Sequence, residues 1–166
     1  RNPKKMKYIV IIFWLGFVLA IGKGERSTKE RTIISVDSTS HIDDYTYSKW
    51  DTFVDAVIYV ESRGNDSAVG DNGKAVGCLQ MHPIMVREVN RILTKYDVPT
   101  TYTLEDRYSR DKSIEMFNII SEEYYCCEGY TFTDYVEIVA RRWNGGPRGD
   151  KKRSTIKYWN NVQKRI

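Results

Sequence analysis

Glu61 stands at the end of a predicted helix, on the same face as a row of apolar residues. Trp50, Phe53, Val54 and Val57 precede it at intervals of three and four residues, the spacing of one helical face. A carboxyl group there is partly desolvated and lies near the negative end of the helix dipole, and both effects raise its pKa. Such a group stays protonated near neutral pH and can protonate the leaving oxygen of a glycosidic bond. The competing interpretation is a helix-terminal glutamate that turns to solvent.

Glu61 also begins a series of short sequence blocks. The blocks are Glu61-Ser62, Gly70-Asp71-Asn72-Gly73, Gly77-Cys78-Leu79-Gln80, Arg142-Trp143-Asn144-Gly145-Gly146-Pro147 and Thr155-Ile156-Lys157-Tyr158. In content and order they resemble the goose-type lysozyme and soluble lytic transglycosylase superfamily. In that family a Glu-Ser pair closes a helix, a Gly-x-x-Gln segment lines the cleft, an Asn-x-Gly turn follows an aromatic residue, and a Thr-x-x-Tyr helix completes the site. The resemblance runs from Val60 to about Val162.

The resemblance implies roles at the substrate for four residues, and the aromatic ring of Trp143, where the family mostly has tyrosine, makes it a fifth candidate. Ser62 and Gln80 are expected to bind the sugar or to order the loop, and Asn144 to contact substrate. Tyr158 is expected to hydrogen-bond near the acid, and Trp143 offers a flat face for a sugar ring. Four of these residues also have a structural interpretation, because Ser62 suits a helix cap, Gln80 a surface amide, and Trp143 and Tyr158 the core.

The activity implied by the resemblance is cleavage of the β-1,4 bond between N-acetylmuramic acid and N-acetylglucosamine in peptidoglycan, with Glu61 as the catalytic acid. Two mechanisms remain open. In a lytic transglycosylase the muramoyl 6-hydroxyl attacks; in a goose-type inverting hydrolase Asp71 positions water, although its other interpretation is a turn residue. The Asn144 turn, the block ending at Tyr158, and His82 in place of a second family aspartate favour the transglycosylase.

Two functions of another class compete with an enzyme. A non-catalytic, exported wall-binding module would need no buried acid, so the retained Glu61 counts against it. An exported helical interaction domain could use its aromatic residues, 13% of the chain, for a protein partner. That interpretation leaves the ordered blocks unexplained.

Apolar spacing and capping residues predict the first helices of the domain, which must carry these residues. Ser48 is the predicted N-cap of the first helix, which ends near Ser62 to Gly64. The glycine-rich segment from Asp66 to Pro83 predicts loops with a short hairpin. The second helix opens at Pro83 and closes before Pro99, because the residue preceding a proline disfavours the helical region.

Three further helices complete the prediction. One runs from about Asp111 to Tyr125, and the next starts at Thr133 or Asp134 and stops at the Asn144-to-Pro147 turn. Ser154 or Thr155 starts the last. The sequence therefore predicts a mainly α, lysozyme-like helical globule in which a short loop or β-hairpin segment lines a cleft.

The N-terminal segment has the composition of an export signal. Tyr8 to Gly22 form an uncharged apolar run preceded by four basic residues, Arg1, Lys4, Lys5 and Lys7. We expect residues 1–22 to be a cleaved signal peptide or an N-terminal anchor, 23–47 a polar linker, and 48–166 the catalytic domain. We therefore expect the protein to be exported to the periplasm or the outside of the cell. It would contact the membrane only through the N-terminal segment, if that segment is not cleaved.

Charge and cysteine content limit the other partners. Without the four basic residues of the signal, the chain balances 22 acidic residues with as many basic ones, which argues against nucleic acid. Cys78, Cys126 and Cys127 lack metal-ligand spacing, so we expect no metal and no cofactor. A disulfide from Cys78 to Cys126 or Cys127 stays open. We expect a monomer that binds peptidoglycan glycan strands.

Overall fold

The computed structural model describes residues 40–124 and 130–166 of the chain, with side chains from residue 49 onward. The described part is mainly helical, which confirms the predicted fold class. Its α-helices and two short strands follow one another as α1 (Ser40–Ser62), β1 (Val69–Gly70), β2 (Ala75–Val76), α2 (Pro83–Lys95), α3 (Arg110–Tyr124), α4 (Phe132–Gly145) and α5 (Ile156–Gln163).

Helix α1 carries the candidate acid on its last turn. Phe53, Val54 and Val57 are buried, as the apolar spacing predicts, and the helix ends at Ser62 within the predicted range. Its start was wrongly predicted, because the helix begins at Ser40 and Ser48 lies inside it. The preceding polar residues lack an apolar period, and a serine inside a helix looks the same in sequence as a serine at its cap.

The predicted hairpin is present between α1 and α2. Val69 pairs with Val76 and Gly70 with Ala75 in an antiparallel pair. The turn between the strands has positive φ at Asp71 (46°), Asn72 (54°) and Gly73 (86°). Aspartate, asparagine and glycine tolerate that left-handed region better than other residues, which explains this turn composition.

Helices α2 and α3 occupy the predicted positions. Pro83 is the first residue of α2, and the helix closes before Pro99. Val86, Val89, Ile92 and Leu93 form its buried face. Helix α3 begins at Arg110, one residue before the predicted Asp111.

The start of α4 differs from the prediction. Its N-cap is Thr131, whose hydroxyl accepts from the backbone of Asp134 in a capping box, so Asp134 is the third residue of the helix and Thr133 the second. Both predicted starting residues therefore lie inside the helix, although Asp134 takes part in the cap. The helix ends at Gly145, before Gly146 with φ of 78°, as the glycine-rich turn predicts. Thr155 is the N-cap of α5, as predicted.

One hydrophobic core joins α1, α3, α4 and α5. Its fully or almost fully buried members include Phe53, Val57, Phe117, Val139, Trp159 and Val162. Cys78 is also buried there, and Cys126 and Cys127 lie outside the described residues. None of the helices in the described ranges is long and apolar enough for a membrane span.

Candidate active site

Glu61 lies half-buried on the last turn of α1, and burial raises the pKa of its carboxyl group to about 7. The Tyr158 hydroxyl donates a hydrogen bond to Glu61 Oε1 at 2.7 Å. This bond lowers the pKa of Glu61, because a donor stabilises the carboxylate. Burial is the larger effect. The upward direction agrees with the prediction from the helix, and near neutral pH the group can both hold and release a proton.

Tyr158 reaches Glu61 from α5, 97 positions further along the chain. Its neighbour Trp159 is buried and anchors the helix in the core. Burial, followed by the nearby Glu61 carboxylate, raises the pKa of the Tyr158 phenol well above its ordinary value. Tyr158 therefore stays protonated and remains a hydrogen-bond donor to Glu61 throughout the physiological range. The contact expected from the resemblance is present.

Ser62 orders the segment that follows the candidate acid. Its hydroxyl lies 3.3 Å from the Ile58 carbonyl and accepts from the Asn65 backbone N–H at 3.1 Å. These contacts cap the end of α1 and fix the direction in which the chain leaves it. Two roles are expected for Ser62, sugar binding and loop ordering, and its contacts in the structure are those of loop ordering.

Gln80 has a similar ordering role under the hairpin. Its amide nitrogen donates to the carbonyl oxygens of Ala68 (3.3 Å) and Gly77 (3.1 Å). Gly70 packs so closely on the Gln80 amide oxygen that a Cβ at Gly70 would lie 2.4 Å from it. Both amide protons are thus committed inside the loop, so Gln80 is a structural tie with only its oxygen left to accept a further bond.

Asp71 lies at the tip of the hairpin and contacts His82. Asp71 Oδ2 and His82 Nε2 are 3.5 Å apart, and both side chains are partly exposed. The chain reaches this arrangement because Met81 bridges back to Val76 with a backbone hydrogen bond of 2.9 Å, which brings His82 beneath the turn. His82, which stands in place of a second family aspartate, is therefore a partner of Asp71.

Trp143 and Asn144 end helix α4 and differ in exposure. The Trp143 ring is half-buried and meets Phe117 edge-on, with centroids 4.7 Å apart and an interplanar angle of 67°. Trp143 therefore packs against the core, the structural interpretation given above. Asn144 is exposed and free to meet a ligand from solvent.

Two arginines that no sequence pattern singles out hold the hairpin and the segment after Glu61 in place. The buried Arg107 donates to the carbonyl oxygens of Lys74 and Met81, each at 3.1 Å, and so holds both ends of the hairpin loop. Arg110 binds the Gly64 carbonyl (2.6 Å) just after the candidate acid. Their partners are backbone carbonyls, which every residue carries, so residue types alone do not reveal such contacts.

Comparisons with known proteins point to lysozymes. No protein-family model matches the chain. A curated lysozyme from Meretrix lusoria is 55% identical over 38 residues, which are 23% of this chain and 24% of that lysozyme. The match thus spans about a quarter of the curated relative's length. The similarity indicates a lysozyme-like relationship.

Proposed function

We propose that this chain is a peptidoglycan-cleaving muramidase in which Glu61 is the general acid. The observation that carries the proposal is the Glu61 carboxyl itself, with a pKa near 7 and a direct hydrogen bond from Tyr158. The local similarity to a lysozyme supports the same class of substrate.

In the favoured mechanism, that of a lytic transglycosylase, the protonated Glu61 gives its proton to the oxygen between N-acetylmuramic acid and N-acetylglucosamine. The bond from that oxygen to the muramoyl anomeric carbon breaks, and the glucosamine leaves with a free hydroxyl. The Glu61 carboxylate then takes the proton of the muramoyl 6-hydroxyl, whose oxygen bonds to the anomeric carbon and closes a 1,6-anhydro ring. Glu61 ends protonated, as it began.

Tyr158 assists both halves of this cycle. While Glu61 is protonated, the phenol holds one carboxyl oxygen and leaves the other to face the glycosidic oxygen. Once Glu61 is ionised, the same O–H stabilises the carboxylate through a charge-assisted hydrogen bond. Because one group serves as acid and then as base, this mechanism needs no second carboxylate.

Inverting hydrolysis is the second candidate, and the contact between Asp71 and His82 favours it. Because His82 lies against Oδ2 of Asp71, the other carboxylate oxygen is available to hold a water molecule. For inversion, the carboxyl groups of Asp71 and Glu61 are expected to lie about 6.5–9.5 Å apart, which leaves space for that water.

Mass spectrometry of purified peptidoglycan after digestion tests both candidates. Soluble disaccharide products with anhydromuramic ends are the expected result. Products with reducing ends, heavier by one water, would replace the transglycosylase with the hydrolase. Unchanged turbidity and no soluble product would reject the muramidase and favour the wall-binding module.

A further inference from the structure

The segment between Asn144 and Tyr158 has a strong excess of positive charge. Residues 148–157, here called the basic loop, hold a single acidic residue, Asp150. Its carboxylate is already bound by Arg142 at 2.7 Å. The basic members of the loop are Arg148, Lys151, Lys152, Arg153 and Lys157.

The backbone of the basic loop is firmly packed against α4. A Cβ at Gly149 would lie 1.9 Å from the Arg141 carbonyl oxygen, so only glycine allows this approach. Arg141 donates to the Lys152 carbonyl (3.1 Å) and to the buried Thr155 hydroxyl (3.1 Å). The backbone of the basic loop is therefore held in place against α4 and forms a fixed platform for the exposed charges.

Three charges on this platform have no protein partner. Arg148, Arg153 and Lys157 are exposed, and their side chains form no ion pair within the described residues. Lys152 differs, because its ammonium group donates to the Gly145 carbonyl at 2.6 Å. Like charges on one short segment repel one another without a counter-charge, and a ligand with several negative charges would supply one.

We infer that the basic loop binds the carboxylate-bearing peptide stems of peptidoglycan next to the bond that is cut. This inference rests on the proposed function. The glycan backbone of N-acetylated sugars is neutral, whereas the stem that extends from each muramoyl unit carries carboxylates. The loop lies along the chain between Asn144 and Tyr158, and the Tyr158 hydroxyl touches Glu61. In the proposed complex, the stem of a muramoyl unit bound at Glu61 extends to this loop.

Binding is best measured with the Glu61→Gln variant, because it does not consume the ligand. In that background the triple change Arg148→Glu, Arg153→Glu and Lys157→Glu is compared with Arg87→Glu, an exposed arginine on α2. The triple variant is expected to bind purified sacculi at least about tenfold more weakly at low salt, and the control within about twofold of the parent. Equal affinity of the two variants would overturn the inference.

Two treated ligands identify the source of the negative charge. Glycan freed of stems by an amidase, with the lactyl carboxylates that this cleavage leaves then converted to neutral amides, is expected to bind the triple variant and its parent equally. Sacculi stripped of phosphate polymers by hydrofluoric acid are expected to keep the full difference. Loss of the difference after acid treatment, or its survival on stem-free glycan, would contradict stem recognition. Cleavage by the wild type is assayed separately, so a failed muramidase assay and a failed binding assay are distinguishable.

Discussion

At the residue scale, the chemistry depends on two opposing effects at Glu61. Burial raises its pKa and the Tyr158 hydroxyl lowers it, with a net value of about 7. The sequence alone predicts that the pKa of Glu61 is raised, because that direction follows from its position on one helix. The size of the net shift in pKa could not be predicted from the sequence, because it also depends on the side chain of Tyr158 on α5.

Tyr158→Phe tests the opposing effect. Removing the donor leaves burial unopposed, so the Glu61 pKa rises and the carboxylate forms at higher pH. Since the acid must be protonated to act, the alkaline limb of the activity profile is expected to move to higher pH. Activity at neutral pH is expected to fall about tenfold because the carboxylate loses its stabilising bond. An unmoved alkaline limb would show that Tyr158 does not influence the ionisation of Glu61.

Asp71→Asn separates the two mechanisms. A transglycosylase is expected to retain most of its activity, because the substrate hydroxyl is the nucleophile and the asparagine tolerates the positive φ at this position. A hydrolase would lose about 10²–10⁴-fold. His82→Gln is the matched control, since it removes the imidazole while leaving Asp71 in place. A large loss in both variants, with reducing-end products from the wild type, would contradict the transglycosylase.

At the element scale, the helices were largely predictable and their connections were not. Apolar spacing located the buried faces of α1 and α2, and Pro83 fixed one start. The ties between elements depend on Arg107 and Gln80, whose partners are backbone carbonyls distant in sequence. Ser62 and Trp143 are candidates for substrate binding from the sequence, and their contacts in the structure are capping and core packing.

Gly145→Ala tests the packing of α4 against the start of α5. A Cβ at Gly145 would lie 2.5 Å from Thr155 Cγ2, a severe overlap. We expect the free energy of unfolding to fall by about 1–3 kcal/mol, measured by chemical denaturation. Adding Thr155→Ser removes that methyl group and keeps the hydroxyl, so the double variant is expected to recover part of the loss. Wild-type stability of Gly145→Ala would contradict the close contact.

At the scale of the whole molecule, we propose export to the peptidoglycan layer. The apolar run from Tyr8 to Gly22 and its basic flank support this location. After expression of the full chain, N-terminal sequencing of exported protein is expected to begin near Lys23. Membrane-bound material that still contains Met6 would indicate an anchor. Protein retained in the cytoplasm with its N-terminus intact would contradict export.

The order of the sequence blocks suggested one site even though its parts are distant along the chain. The structure brings Glu61 and Tyr158 into contact through a shared core of α1 and α5. Only the resemblance to a known family predicts this contact, because no local sequence pattern connects residues that are so far apart. The start of α1 at Ser40 could not be predicted, because the polar residues of its first turns have no apolar period.

Cleavage of purified peptidoglycan by wild type and by Glu61→Gln is the most direct test of the muramidase proposal. The amide keeps the shape of the side chain but cannot donate the proton, so we expect activity to fall at least about 10²–10⁴-fold. Because the raised pKa of Glu61 makes folding less favourable as pH rises from 4.5 through about 7, the variant is also expected to melt at a higher temperature than the wild type at pH above 7. That melt shows that the variant is folded. A folded variant that retains more than about a tenth of wild-type cleavage would contradict Glu61 as the catalytic acid.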